Sequence, residues 1–132
     1  MRTRLLPTLL ALAALMVAVT PNDAAAQDEI SVTLVTATGV EDREPVGVGG
    51  TFPSDVGQVY AWMRVTGAAD QAIQVVWSYG PHTWNVPLEI GGSHWRTWSS
   101  KIIMPAWTGE WTVDVQDAQG SSITSTTFTI EG

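Results

Sequence analysis

Beyond Gln27 the sequence alternates between apolar and polar residues in short runs, and turn residues separate one run from the next. This period of two is typical of strands that bury one face, whereas an amphipathic helix repeats about every 3.6 residues. The spacing of the turns predicts about seven strands and no long helix. The predicted fold is therefore all-β, an antiparallel β-sandwich of immunoglobulin or fibronectin type, with a small β-barrel as the alternative.

The alternation also assigns faces within a strand. In the run that starts at Val59, one parity is apolar throughout and is expected to face the core, because successive side chains of a strand point to opposite faces. The apolar positions are Val59, Ala61, Met63 and Val65. Tyr60, Trp62 and Arg64 have the other parity and are expected to face outward. Pro87 interrupts a later run and predicts an edge strand there.

The N-terminus has the order of segments found in secretory signal peptides: the basic Met1–Arg4, the apolar Leu5–Val19 and the small residues Ala24–Ala26. The apolar run is shorter than the roughly 20 residues that a membrane-spanning helix needs. We therefore expect cleavage after the last of these alanines, with an uncleaved anchor as the alternative. This predicts a signal peptide over 1–26, a single β-sandwich domain over 27–132, and a periplasmic or secreted protein.

Charge and cysteine content exclude several function classes. The chain has 6 Lys and Arg against 13 Asp and Glu, which gives a formal net charge of -7. Phosphate backbones and anionic lipids attract basic proteins, so we expect no nucleic-acid partner. We also expect no stable membrane span after signal cleavage, because the one long apolar run leaves with the signal. The absence of Cys excludes disulfides, thiolate metal sites, a Cys nucleophile and a lipid-bearing N-terminal Cys.

Two strings in the C-terminal half resemble a known bacterial family. Trp95–Lys101 reads W-R-T-W-S-S-K and Gly109–Val115 reads G-E-W-T-V-D-V. Together with the upstream Glu41–Val46, they resemble the family of unknown function called DUF2914, over about Val40–Ile130. The resemblance implies a bacterial envelope β domain. It supplies no catalytic residues, because the activity of the family is not known.

The seven tryptophans are the most prominent candidate for a binding surface. An outward aromatic face can grip a partner protein or stack on sugar rings, whereas inward tryptophans only fill the core. Trp95 and Trp98 are three residues apart and must point to opposite faces of a regular strand. The tryptophans expected in the core are Trp77, Trp84, Trp98 and Trp111. Those expected to meet a ligand, if one binds, are Trp62, Trp95 and Trp107.

A small cationic cluster offers a second candidate. Arg96 and Lys101, with two serines between them, place four hydrogen-bond donors within six residues of an acidic chain. Such donors suit a carboxylate or sulfate of an envelope polymer. The alternative is a solvated strand face, on which the two cations pair with Glu110 or Asp114 of a neighbouring strand.

Catalytic and metal sites have little support. His82 and His94 are the only histidines, and two histidines without a third nitrogen or sulfur ligand make a poor zinc site, so both are expected at the surface. Glu110 and Asp114 share one strand face and are the carboxylates that a glycosidase would use, but a solvent-facing acidic stripe explains them equally well. We expect no enzyme activity, no cofactor and no metal.

The sequence thus predicts a non-catalytic exported β-sandwich that binds, or is accessory to, an envelope protein partner through an aromatic sheet face. A binding module for envelope glycans is the first alternative, and a glycan hydrolase is the weaker one. The candidate ligand-binding residues are Tyr60, Trp62, Trp95, Arg96, Lys101 and Trp107.

Overall fold

The structure is a computed structural model that describes residues 29–132. The predicted signal peptide lies outside these residues. Within the described part of the chain there is no helix long and apolar enough to cross a membrane.

The described residues form β-strands joined by turns and short loops. In chain order they are β1 (Ser31–Ala37), β2 (Gly39–Glu41), β3 (Glu44–Val46), β4 (Thr51–Phe52), β5 (Gln58–Thr66), β6 (Ala72–Tyr79), β7 (His82–Glu89), β8 (His94–Ile102), β9 (Gly109–Gln116) and β10 (Ser122–Ile130). A three-stranded sheet has the order β1-β5-β8, and a five-stranded sheet has the order β4-β10-β9-β6-β7. All pairs are antiparallel except β10 with β4. The predicted antiparallel β-sandwich is confirmed, and the sheets do not close into a barrel.

The long strands are those that the alternation predicts, and Pro87 indeed lies in an edge strand, β7. The charged segment after Val40 forms the β2–β3 hairpin, which pairs with itself. Its turn residues Asp42 and Arg43 have φ values of 51° and 66°. Positive φ at both central positions is typical of the two-residue hairpin turns that match the twist of the strands.

The core lies between the two large sheets. The apolar parity of β5 is fully buried there, as predicted, and Trp77 and Trp111 from the five-stranded sheet are fully buried against it. The indole Nε1 of Trp77 donates a hydrogen bond of 3.1 Å to Oγ of Ser99 in β8. This bond joins the two sheets through a polar contact inside the core.

Two expectations about the tryptophans are wrong. Trp98, expected in the core, points to the outer face because it lies opposite Trp62 in the β5–β8 register, whereas Trp95 lies opposite the buried Val65 and packs against the core. Trp62 does point to the outer face, but only 3% of it is exposed. Its Nε1 donates a hydrogen bond of 2.9 Å to the carbonyl of Arg43, so the β2–β3 hairpin covers the part of the outer face around Trp62 that was expected to be open.

Candidate functional site

Two arginines lie side by side on the outer face of the three-stranded sheet. Arg64 of β5 is directly opposite Arg96 of β8. With His94 and Trp95 they line a pocket of about 330 Å³. Like charges directly opposite each other destabilise an antiparallel pair. The pairing of Arg64 with Arg96 therefore lowers the stability of the fold unless neighbouring groups compensate the two positive charges.

The β2–β3 hairpin brings a third guanidinium and one counter-ion to this place. Nη2 of Arg43 donates a hydrogen bond of 2.8 Å to the carbonyl of Arg96, and the guanidinium of Arg96 forms a salt bridge with Glu44. Apart from Lys101, these three arginines are all the cationic Lys and Arg side chains of the described residues. Most of the positive charge of an acidic domain is thus gathered at one pocket.

Tryptophan rings hold two of the guanidiniums. The guanidinium of Arg43 lies 5.6 Å from the ring centroid of Trp95 and 5.8 Å from that of Trp98, and the guanidinium of Arg64 lies 5.4 Å from that of Trp62. These distances fall within the usual range for cation–π contacts, which favour arginine. On the outer face the rings of Trp62 and Trp98 lie against the chain's own arginines, whereas Trp95 and Trp107, which were expected to share an open aromatic face, pack against the core.

Trp95 is also held from the side of the β7–β8 turn. A Cβ atom added at Gly91 would lie 2.6 Å from Cη2 of Trp95, so the Gly91 backbone packs directly against the indole. With Arg43 on the same ring, Trp95 has little open face for a sugar to stack on. It contributes a wall of the pocket instead.

Arg96 and Lys101 do not form the predicted cluster. They are five positions apart in β8 and therefore have opposite parity. Nζ of Lys101 lies 4.1 Å from the ring centroid of Trp84 and 5.5 Å from that of Trp107, at the margin of the core. The alternative pairing of these cations with Glu110 or Asp114 is also wrong, since Arg96 pairs with Glu44 and Lys101 lies over tryptophan rings.

Trp107 belongs to a packed aromatic group, and its role as a ligand residue stays a prediction. Its carbonyl accepts a hydrogen bond of 3.2 Å from Nε1 of Trp111. The Trp111 ring stacks on Tyr79 at 4.6 Å and on Trp84 at 5.6 Å between centroids. The remaining candidate, Tyr60, is half-buried on the outer face of the three-stranded sheet, where its hydroxyl donates to Oε1 of Gln58 at 2.9 Å.

The carboxylates considered for catalysis lie elsewhere. Glu110 and Asp114 project from the outer face of the five-stranded sheet, opposite in parity to the buried residues of β9. Asp114 accepts a hydrogen bond of 2.8 Å from Nε2 of Gln116. His82 and His94 are both exposed, as expected. In residues 29–132 there is no group of three or more His, Asp or Glu side chains suited to hold a metal ion.

Of the residues at this pocket, the sequence predicted Arg96 and Trp95 as ligand candidates but not Arg43, Arg64 or His94. The outward parity of Arg64 beside Trp62 was a usable signal, because it places a cation on the aromatic face. The position of Arg43 had no such signal, since its hairpin reaches β8 only through tertiary contact.

Comparison with known proteins agrees with the fold. Residues 70–130 match a family model described as a protein of unknown function (DUF2914), which confirms the resemblance of the two C-terminal strings, while the upstream string 41–46 lies outside the matched residues. No curated protein matches the sequence. The structure is similar to that of the alkylpurine DNA glycosylase AlkC of Pseudomonas fluorescens, bound to DNA containing an abasic site analog, with a TM-score of 0.52 and 12% identity. The similarity covers 83% of this chain and 32% of that one, and at this identity it shows the fold alone.

Proposed function

We propose that the chain, whose residues 70–130 match the model of a family of unknown function (DUF2914), is an exported, non-catalytic domain that binds an acidic segment of a cell-envelope protein. The binding site is the arginine pocket, defined here by Arg43, Arg64, His94, Trp95 and Arg96. The proposal deepens the expectation of a protein partner, with the arginines replacing the open aromatic face as the contact surface.

The convergence of three arginines in an acidic domain carries this proposal. A guanidinium binds a carboxylate through two parallel hydrogen bonds and is less strongly hydrated than an ammonium group. Only Arg96 has a carboxylate within 4 Å in the described residues, so Arg64 retains capacity for an external anion. The tryptophans restrict Arg43 and Arg64 before a ligand arrives, which lowers the ordering cost of binding.

Two observations favour an acidic protein segment over an envelope glycan. The faces of Trp62, Trp95 and Trp98 are occupied by guanidiniums or by the hairpin, so they do not form a platform for sugar stacking. The net charge of -7 also repels a long polyanion, whereas a short acidic segment on a less acidic partner meets the local positive charge. The same repulsion argues against nucleic acid.

Export and the absence of catalysis are parts of the same proposal. The order of basic, apolar and small residues at the N-terminus supports export. The separation of Glu110 and Asp114 from the arginine pocket supports binding without catalysis. Osmotic-shock fractionation of expressing cells tests the location, and recovery only in the cytoplasmic fraction would contradict it.

The binding test uses protein purified from the envelope fraction and titrated by calorimetry with a hexaglutamate peptide. We expect binding that weakens as salt is raised, because exposed charges are screened. Arg64→Gln should weaken it about tenfold, which corresponds to about 1.4 kcal/mol. Lys101→Gln is the matched control, because it removes the same charge from the other face and should bind as the wild type does.

The outcomes separate the alternatives. Binding of polygalacturonate without binding of hexaglutamate would support the glycan module instead. Equal losses in Arg64→Gln and Lys101→Gln would show a response to overall charge and would contradict the arginine pocket. Crosslinking in intact cells then identifies the partner, and Arg64→Gln should reduce its recovery relative to Lys101→Gln.

A further inference from the structure

The second edge of β8 has no strand beside it. β8 runs over His94–Ile102 and pairs on one side with β5. Among residues 29–132 no other strand pairs with it. A long edge strand presents main-chain N–H and C=O groups that can pair with another chain. The arginine pocket lies directly on this strand, so the two features share one surface.

The other sheet edges are protected in ways that β8 is not. β7 carries Pro87, which cannot donate to a ladder, and β4 is only two residues long. β1 is the other edge strand of the three-stranded sheet, and it lies close to β10 of the opposite sheet. β8 is nine residues long and contains no proline. It is therefore the edge best suited to receive a strand.

A side chain already occupies this edge as a partner's main chain would. Nη2 of Arg43 donates to the carbonyl of Arg96 at 2.8 Å. At the two ends of β8 the main-chain bonds to the β5 side are made by Ser93 and Ile103, so this carbonyl, which has the other parity, points away from β5. Hydrogen-bonded and non-bonded pairs alternate along an antiparallel ladder. The main-chain groups of Trp98 and Ser100 therefore point to the same edge as those of Arg96.

We infer that the acidic segment binds by adding to β8 as an extended strand, an inference that rests on the proposed function. The segment pairs its main chain with Trp98 and Ser100, and at Arg96 its N–H replaces Nη2 of Arg43 as the donor to the carbonyl. Alternate side chains of an added strand point to opposite faces, so carboxylates at every second position reach the outer face that bears Arg64 and Arg96. Main-chain bonds supply affinity and the alternate side chains supply specificity.

The test uses the wild-type protein and a peptide about as long as β8 in which threonine and glutamate alternate, chosen to carry carboxylates along one face of a strand. Two N-methylated versions are compared, one methylated at the threonine and one at the glutamate nitrogens. Because N–H groups of alternate residues face opposite edges of a strand, only one version can pair with β8. We expect the version whose methyl groups point away from β8 to keep the affinity of the unmethylated peptide. The version whose methyl groups point toward β8 should bind at least about tenfold more weakly. Amide exchange at Trp98 and Ser100 should slow when the unmethylated peptide binds.

Failure of this inference and failure of the proposed function give different results. Equal affinities of the two methylated versions, or unchanged exchange at Trp98 and Ser100, would overturn strand addition. If hexaglutamate binding still depends on Arg64 in that case, the acidic-ligand function stands without it. If Arg64→Gln binds both peptides as the wild type does, both proposals are wrong.

Discussion

Arg64 and Arg96 face each other directly across the β5–β8 ladder, and within the described residues only Arg96 has a carboxylate partner, Glu44. A cross-strand pair of like charges opposes folding. Here the Glu44 carboxylate and the Trp62 ring compensate it only in part. Local conflicts of this kind are expected at functional sites, where binding rather than stability determines the residues.

Removing the counter-ion should expose this conflict. We predict that Glu44→Gln lowers the free energy of unfolding by up to about 1 kcal/mol, because exposed ion pairs contribute little individually. Arg64→Gln in the same background should recover most of the loss, since Arg96 then has no like charge opposite it. Urea denaturation of the four proteins of the double-mutant cycle measures the coupling. Glu110→Gln, an exposed carboxylate on the outer face of the other sheet, is the control, and its effect should be the same with Arg64 or Gln at position 64. If Glu44→Gln changes the free energy of unfolding equally in the wild type and in Arg64→Gln, the two sites are not coupled and the prediction is wrong.

The burial of Trp62 predicts a structural role that a ligand-binding tryptophan would not show. Trp62→Phe keeps an aromatic ring but loses the hydrogen bond to the Arg43 carbonyl. We expect a loss of about 1 kcal/mol in unfolding free energy and faster amide exchange in the β2–β3 hairpin. Tyr60→Phe is the control on the same face, because it removes only the hydroxyl that donates to Gln58 within β5, and it should leave hairpin exchange unchanged. Unaltered hairpin exchange in Trp62→Phe would show that the hairpin is held by other contacts.

The fold could be predicted because its signals are local. Alternation with a period of two fixes which residues of β5 face the core, and turn residues bound each long strand. Trp62 has the same outward parity in sequence and structure, yet its burial depends on a hairpin that folds back from the segment around Arg43. No local pattern contains that information.

The site was harder to predict because it depends on pairing order. Arg64 and Arg96 become neighbours only because β8 pairs with β5, although β6 and β7 lie between them in the chain. The spacing of Trp95 and Trp98 shows that one of them faces outward. It does not show which one, and the β5–β8 register decides that Trp98 does.

The packing of Gly91 against Trp95 gives a paired test of the pocket wall. Gly91→Ala should displace the indole, because its Cβ would lie 2.6 Å from Cη2, and we expect a cost of about 1–3 kcal/mol from overpacking. Gly92→Ala is the matched control, since its Cβ would lie 3.5 Å from the same ring. Near-ultraviolet circular dichroism and urea denaturation measure the two effects. Hexaglutamate binding should fall in Gly91→Ala and persist in Gly92→Ala. Equal spectra and stabilities of both variants would show that Trp95 is not fixed by this contact.

The hydrogen bond between Trp77 and Ser99 joins the sheets inside the core, so its loss should be costly. Ser99→Ala leaves the buried indole N–H without its acceptor, and we expect the free energy of unfolding to fall by about 1–3 kcal/mol. Ser100→Ala removes a hydroxyl from the next residue, which is exposed, and should change stability by no more than about 0.5 kcal/mol.

A third variant separates the unsatisfied N–H from the lost contact. Adding Trp77→Phe to Ser99→Ala removes the orphaned donor, so the double variant should be less destabilised than the sum of the single changes, measured by urea denaturation. Simple additivity of the two changes would show that the indole N–H finds another partner, and that packing rather than this hydrogen bond holds β6 against β8.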